Sequence, residues 1–149
     1  MNQRPRILGI DYGSRRIGIA VSDPLGIIAT GIATIPNDAG VIGRLRKFID
    51  EYAIGSIVIG TPLNLKGEEA AAESAAGEFA GRLGRELHLP VERCDERFTS
   101  AIAHRTLIEM GVRKKARRSK ERIDSMAAAL ILQSWLDSAR PVRKEEPGR

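Results

Sequence analysis

Hydrophobic residues in the first third of the chain follow short runs that are typical of β-strands. These runs are rich in β-branched side chains, and they cover residues 6–11 (RILGID), 16–22 (RIGIAVS) and 26–35 (GIIATGIATI). Residues typical of turns, Tyr-Gly-Ser-Arg and Asp-Pro-Leu, separate them. Connections this short leave no room for a crossover helix, so the pattern predicts an antiparallel meander of three strands.

The rest of the chain alternates between helical and strand-like periods. Apolar residues at helical spacing predict helices over residues 39–53, 68–87, 99–110 and 121–138, the last one capped by Ser119. Short apolar runs between them predict strands over residues 56–60 and 91–95. The order βββαβαβαα predicts an α/β fold, with a five-stranded mixed sheet flanked by helices on both faces.

The length and the composition restrict the organisation of the protein. A chain of 149 residues suits one domain, which we place at residues 1–139, followed by a flexible polar tail at residues 140–149. One Cys and two His exclude an internal disulfide and a zinc-finger type of site, so carboxylates would have to bind any metal. We expect a cytoplasmic protein, since the sequence has neither an apolar membrane span nor a secretory signal.

The net charge of +5 comes from one segment. Residues 113–122 (RKKARRSKER) hold seven basic residues and one acid, a net charge of +6. Removing them from the totals of 24 basic and 19 acidic residues leaves 17 and 18, a net charge of −1. A nearly neutral body with one basic segment favours a local contact with a polyanion, although a solvated loop is an equally good interpretation of the segment alone.

Acidic residues occur at positions that the predicted fold brings together. Asp11 ends the first strand, Asp95 and Glu96 end the last strand, and Asp124 lies in the first turns of the last helix. Sites in open α/β sheets lie beyond the carboxyl ends of the strands, so we expect Asp11 and Glu96 at one edge. Asp124 lies beside the apolar stripe of its helix, where an acid is costly unless it is paired or bound to a cation.

Three converging carboxylates suit a divalent cation. They repel one another, and Mg²⁺ or Mn²⁺ relieves this repulsion because it prefers oxygen ligands. Two such ions can activate water and stabilise the leaving oxygen of a phosphodiester. Each acid also has an ordinary interpretation taken alone: Asp11 as a strand-end turn former, Asp95 or Glu96 as a partner of a neighbouring Arg, and Asp124 as an acid favoured by the helix dipole.

Four motifs in this order resemble the YqgF family, also called RuvX. They are residues 9–23 (GIDYGSRRIGIAVSD), 60–69 (GTPLNLKGEE), 95–100 (DERFTS) and 123–137 (IDSMAAALILQSWLD). Members of this family are described as candidate Holliday-junction resolvases and as candidate nucleases that mature the 5′ end of pre-16S rRNA. The resemblance implies a ribonuclease H-like fold and a metal-dependent nuclease.

The resemblance also implies site residues. The acidic triad of the family falls on Asp11, Glu96 and Asp124, which would act as catalytic residues and metal ligands. The family pattern implies Glu96 rather than Asp95, and only one of the two can face the site, because neighbouring residues of a strand point to opposite faces. The predicted nucleic-acid contacts are basic side chains of the motifs and of the basic segment: Arg16, Lys66, Arg97, Arg113, Lys114, Lys115, Arg117, Arg118 and Lys120.

The leading hypothesis is therefore a hydrolase, a nuclease that depends on Mg²⁺ or Mn²⁺ bound at a two-metal site, with the basic segment binding the phosphate groups of the substrate. Its substrate would be structured nucleic acid, with precursor rRNA preferred and branched DNA as the alternative. We expect no membrane partner, and a monomer or a weak homodimer. Two other hypotheses stay open: a non-catalytic nucleic-acid-binding module, and an ATPase of the actin type, which the length of a single domain disfavours.

Overall fold

Five strands form one mixed sheet in the computed structural model, which describes residues 5–61, 68–95 and 118–139. The strands are β1 (Arg6–Asp11), β2 (Arg16–Ser22), β3 (Ala29–Pro36), β4 (Ile54–Thr61) and β5 (Val91–Asp95). The helices are α1 (Val41–Tyr52), α2 (Glu68–Leu87) and α3 (Arg118–Ala139). Among these residues no helix is both long and apolar enough to cross a membrane.

The sheet has the order β3-β2-β1-β4-β5. β1 pairs antiparallel with β2, and β2 pairs antiparallel with β3, which confirms the predicted meander. β1 pairs parallel with β4, and β4 pairs parallel with β5. The carboxyl ends of β1, β3, β4 and β5 and the beginning of β2 therefore lie at one edge of the sheet, where the sequence places the candidate site.

Helices cover both faces of the sheet, as the sequence predicts. On one face, Leu8 and Ile10 of β1 are fully buried in a core that includes Leu45 of α1 and Leu83 of α2. On the other face, α3 packs on β1, β2 and β3 and contributes to a second core with Ala20 and Val58. Side chains of a strand alternate between the faces, so every second residue of β1 lies on the side of α3.

The third strand begins at Ala29, three residues later than the apolar run at residues 26–35 predicts. Residues 26–28 instead form the end of a turn. The Asp23 carboxylate accepts hydrogen bonds from the backbone N–H groups of Ile27 (2.7 Å) and Ile28 (2.8 Å), and Gly26 adopts a positive φ of 73°. The prediction of this boundary was wrong because local hydrogen bonds to an Asp side chain outweigh the β-propensity of isoleucine.

The Asp23 turn gives a pH dependence that can be measured. The hydrogen bond from the Ile28 backbone N–H is the largest cause that lowers the pKa of Asp23. The stability that the carboxylate contributes is therefore present above its unfolded pKa, about 3.9, and is lost as the pH falls through its lower folded pKa. We expect Asp23→Ala to cost about 1 kcal/mol at pH 7 in urea unfolding, and less at pH 2.

Asp23→Asn is the matched control for this prediction, since its side-chain oxygen can accept the same two hydrogen bonds but does not titrate. Its stability relative to Asp23→Ala should change little between pH 7 and pH 2. If the wild-type protein and Asp23→Ala lose stability in parallel over that range, the turn does not depend on the charged carboxylate.

The last helix begins at Arg118, three residues earlier than predicted. Ser119 therefore lies inside α3, and its prediction as the cap was wrong. The stretch from Arg118 to Arg122 has no Gly or Pro and is rich in Arg, Lys and Glu, which favour a helix. The carboxyl-terminal half of the basic segment is thus helical rather than a loop.

The other helix and strand boundaries differ from the predictions by at most two residues, and the predicted helix at residues 99–110 lies outside the described residues.

Candidate active site

Asp11 is the last residue of β1, and only 6% of its surface is exposed. It lies opposite Gly18 in the antiparallel pair with β2. Gly9, two residues earlier on the same face of β1, contacts Leu132 of α3, so Asp11 lies on the face that α3 covers. A carboxylate is therefore fixed on the helix-covered face at the edge of the sheet.

Asp124 of α3 packs against Gly18, the residue of β2 that lies opposite Asp11. A Cβ atom added to Gly18 would overlap the Asp124 carbonyl oxygen and would lie 3.2 Å from the Asp124 Cβ. The backbone of α3 thus rests directly on the strand residue that pairs with Asp11. The backbones of Asp11 and Asp124 therefore both lie next to Gly18, although the two residues are far apart in the sequence. Their joint role as metal ligands stays a prediction.

Glycines on neighbouring strands allow this close approach of α3. A Cβ atom on Gly9 of β1 would lie 2.7 Å from the Leu132 Cβ, and one on Gly31 of β3 would lie 2.6 Å from the Ser125 carbonyl oxygen. Real Cβ atoms essentially never approach so closely. The sequence analysis missed Gly18 and Gly31; the signal that could have found them is a glycine on each strand of a meander opposite the small residues of an Ala-rich helix.

Arg16, the first residue of β2, forms an ion pair with Asp124. Its Nε donates a hydrogen bond of 2.6 Å to Oδ2 of Asp124, and the two side chains are 43% and 17% exposed. The turn before β2 is tight, since a Cβ atom on Gly13 would lie 2.5 Å from the Arg16 carbonyl oxygen. Arg16, which we predict to contact phosphate groups, thus also neutralises Asp124, which we predict to bind metal. The contact of Arg16 with nucleic acid stays a prediction.

The side chains of the other predicted site residues are outside the part of the chain that the structure describes. Glu96, Lys66, Arg97, Arg113, Lys114, Lys115 and Arg117 lie outside the described residues. Arg118 and Lys120 lie in the first turn of α3, but their side chains are outside the description. Two members of the predicted acidic triad therefore lie near each other in the fold. Their role as catalytic residues and metal ligands, and the position of Glu96, stay predictions.

Asp11 and Asp124 belong to the first and the last of the four motifs in the sequence, and their backbones both lie next to Gly18. Residues 5–138 match the family described as RuvX: Holliday junction resolvase. The chain belongs to the RuvX family. This membership confirms the resemblance found in the sequence, and it confirms that the enzyme class is a hydrolase, a nuclease.

Curated relatives of this RuvX chain match it over almost their whole length. A protein of Koribacter versatilis is 44% identical over 146 residues, which cover 95% of this chain and 92% of the relative. A protein of Geobacillus kaustophilus is 47% identical over 139 residues, which cover 91% and 99%. Both carry the name "Putative pre-16S rRNA nuclease".

Solved structures confirm the fold. RuvC of Thermus thermophilus, in complex with a Holliday junction substrate, superimposes on this RuvX chain with a TM-score of 0.55 and 16% sequence identity, covering 91% of this chain and 96% of that one. A second structure of RuvC from this organism gives a TM-score of 0.52 at 12% identity, covering 90% and 95%. The ribonuclease H-like fold predicted from the sequence is therefore confirmed.

Proposed function

We propose that this protein is a metal-dependent endonuclease that cuts structured nucleic acid, with the 5′ end of precursor 16S rRNA as its substrate in the cytoplasm. The observation that carries the proposal is the packing contact at Gly18, where the backbone of Asp124 rests on the strand residue that pairs with Asp11. Two carboxylates held at one sheet edge are a ligand set for a divalent ion beside a phosphodiester.

The donor set fits Mg²⁺ or Mn²⁺. Asp11 is buried and Asp124 is mostly buried, and their hard oxygen atoms are the ligands that these ions prefer. Within the described ranges no group of three or more His, Cys, Asp or Glu residues could hold a metal ion, so the proposal requires Glu96 as the third carboxylate. When bound, a pair of such ions supplies an activated water molecule and stabilises the leaving oxygen of the phosphodiester.

The protein's own residues bind and orient the substrate in this proposal. Asp11 and Asp124 hold the reacting centre on rigid elements, a central strand and a helix packed against it. The basic segment carries a net charge of +6, and its last five residues form the beginning of α3, the helix that carries Asp124. Its contacts with phosphate groups would give an affinity that falls with salt and depends little on sequence.

Relatives favour precursor rRNA as the substrate, since those at 44% and 47% identity are named for pre-16S rRNA. The description of the family favours a second candidate, the resolution of Holliday junctions. Resolution needs two symmetric cuts, so it requires two active sites related by a twofold axis. A stable dimer in solution would favour this candidate, and the monomer or weak homodimer that we propose favours rRNA processing.

The test compares both substrates in one experiment. We would incubate the purified protein with precursor 16S rRNA and with a four-way DNA junction, each in Mg²⁺, in Mn²⁺ and in EDTA. The proposal expects divalent-dependent cleavage of the rRNA precursor near its 5′ end and little cleavage of the junction. Preferential paired cuts in the junction would support the resolvase, and equal binding in all three buffers without cleavage would support a non-catalytic module.

The Arg16–Asp124 ion pair makes a prediction about metal binding. Arg16 competes with a cation for the Asp124 carboxylate, because its Nε occupies Oδ2 at 2.6 Å. We expect Arg16→Ala to bind Mn²⁺ about fivefold more tightly, which corresponds to the ~1 kcal/mol at the upper end for half-exposed ion pairs. Isothermal titration calorimetry of Mn²⁺ binding measures this without any need for activity.

Arg15→Ala is the matched control, since it removes the same charge from the neighbouring exposed residue. A similar gain in both variants would mean that the effect comes from the general loss of positive charge. A weaker affinity in Arg16→Ala alone would mean that Arg16 orients Asp124 for the metal rather than competing with it.

A further inference from the structure

Tyr12 lies at the same edge of the sheet as Asp11, but its side chain is on the opposite face of the sheet. It directly follows Asp11, and it packs against the core formed with α1 and α2, whereas Asp11 lies on the face of α3. Its ring centroid lies 5.0 Å from that of Phe79 of α2, with an angle of 44° between the ring planes. Phe79 is buried and Tyr12 is half-buried, so one ring supports another that remains accessible.

An open cleft of about 500 Å³ begins at this ring and runs along α2. Asn37 forms part of its wall and donates a hydrogen bond of 2.8 Å to the Gly13 carbonyl oxygen, which fixes the turn after β1. Gly77 and Gly81, one helical turn apart on α2, also line the cleft. Because neither has a side chain, guanidinium groups lie against the helix there: an added Cβ atom would come within 3.4 Å of Arg93 at Gly77 and within 3.3 Å of Arg85 at Gly81.

Charged residues along the cleft form one stripe on α2. Glu78, Arg82 and Arg85 line it at spacings of four and three residues, which place them on the same side of the helix. Nε of Arg82 is fixed by a hydrogen bond of 2.8 Å to Glu86, and within the described part of the chain Arg85 forms no ion pair. An aromatic ring at one end and two guanidinium groups along the side are the parts of a binding site for a single strand.

We propose that this cleft binds the single-stranded segment of the nucleic acid next to the phosphodiester that is cut. A base stacks on Tyr12, and Arg82 and Arg85 contact the phosphates that follow it. Glu78 can accept a hydrogen bond from a base amino group or a ribose 2′-hydroxyl. This inference rests on the proposed function, because Tyr12 and Asp11 are neighbours in the chain and one strand that crosses the sheet edge would reach both.

The test measures binding separately from cleavage. Fluorescence anisotropy would follow a fluorescein-labelled, eight-nucleotide single-stranded RNA of mixed sequence in EDTA, where the proposed reaction cannot occur. We expect Tyr12→Ala to weaken binding about tenfold and Tyr12→Phe to weaken it little, since the ring is retained. Arg85→Glu should weaken binding and reduce the salt dependence, whereas Lys47→Glu, the same charge reversal at an exposed position of α1, should not.

The outcomes separate this inference from the proposed function. If Tyr12→Ala and Arg85→Glu bind the RNA like the wild-type protein while the wild-type protein cleaves precursor rRNA, the cleft proposal is overturned and the nuclease stands. If they lose binding but the wild-type protein cleaves nothing, the cleft stands and the nuclease fails. Equal dependence on Tyr12 for a blunt RNA duplex would overturn the assignment to a single strand.

Discussion

Asp11→Asn should abolish divalent-dependent cleavage and leave the protein folded. The substitution keeps the shape of the side chain but removes the charge that a metal ligand needs at this buried position. Loss of a group that only orients a metal ligand already costs about 10- to 100-fold in affinity or activity, so removing a ligand should cost about 100-fold or more. Initial rates on precursor rRNA in saturating Mg²⁺ measure the effect.

Asp50→Asn is the control for Asp11→Asn, since it removes one charge from an exposed position of α1. It should cleave at the wild-type rate. Thermal unfolding of both variants shows whether the fold is retained, and RNA binding in EDTA shows whether the substrate still binds. Undiminished cleavage by folded Asp11→Asn would exclude Asp11 as a metal ligand and would overturn the assignment of the active site.

Gly18→Ala should destabilise the protein strongly although it adds only one methyl group. The new Cβ would overlap the Asp124 carbonyl oxygen, and both groups belong to backbones that are fixed by a strand and a helix. Overpacking of a tight core costs about 1–3 kcal/mol and sometimes more, and a clash between two backbones belongs at the upper end. Urea unfolding should show a loss of about 3 kcal/mol, and Gly18→Val should lose more.

Gly43→Ala is the matched control for Gly18→Ala. Gly43 lies exposed in α1, and a Cβ atom there meets nothing within 4 Å. Alanine is favoured over glycine inside a helix by about 1 kcal/mol, so this variant should be more stable than the wild-type protein. If Gly18→Ala unfolds at the wild-type urea concentration, α3 does not rest on β2, and the proposed proximity of Asp11 and Asp124 is wrong.

Strands and helices were predictable where local patterns act without competition. The bounds of β1, β2, α2 and β5 agree with the predictions, because turn residues or prolines border clear apolar periods. The beginning of β3 was not predictable from propensity, since Asp23 captures the N–H groups of two isoleucines that would otherwise extend the strand. The beginning of α3 was missed because no residue there stops a helix.

The site was predictable in its residue types and less so in its contacts. The topology of an open sheet, together with the helical position of Asp124, predicts Asp124 near Asp11, and the backbones of both residues lie next to Gly18. The ion pair between Arg16 and Asp124 joins residues 108 positions apart, and no local pattern determines which acid a surface arginine will meet. The contact at Gly18 depends on the register of β2 against both β1 and α3, which only the packed structure fixes.

The docking of α3 across the strands of the meander also sets the order in which the site can form. β1, β2 and β3 lie within the first 36 residues, and they can pair early during synthesis because their contacts are local. Asp124 joins them only after α3 has left the ribosome and packed over the glycines of those strands. A growing chain therefore holds Asp11 on a sheet before Asp124 arrives, and the candidate site is completed at the end of folding.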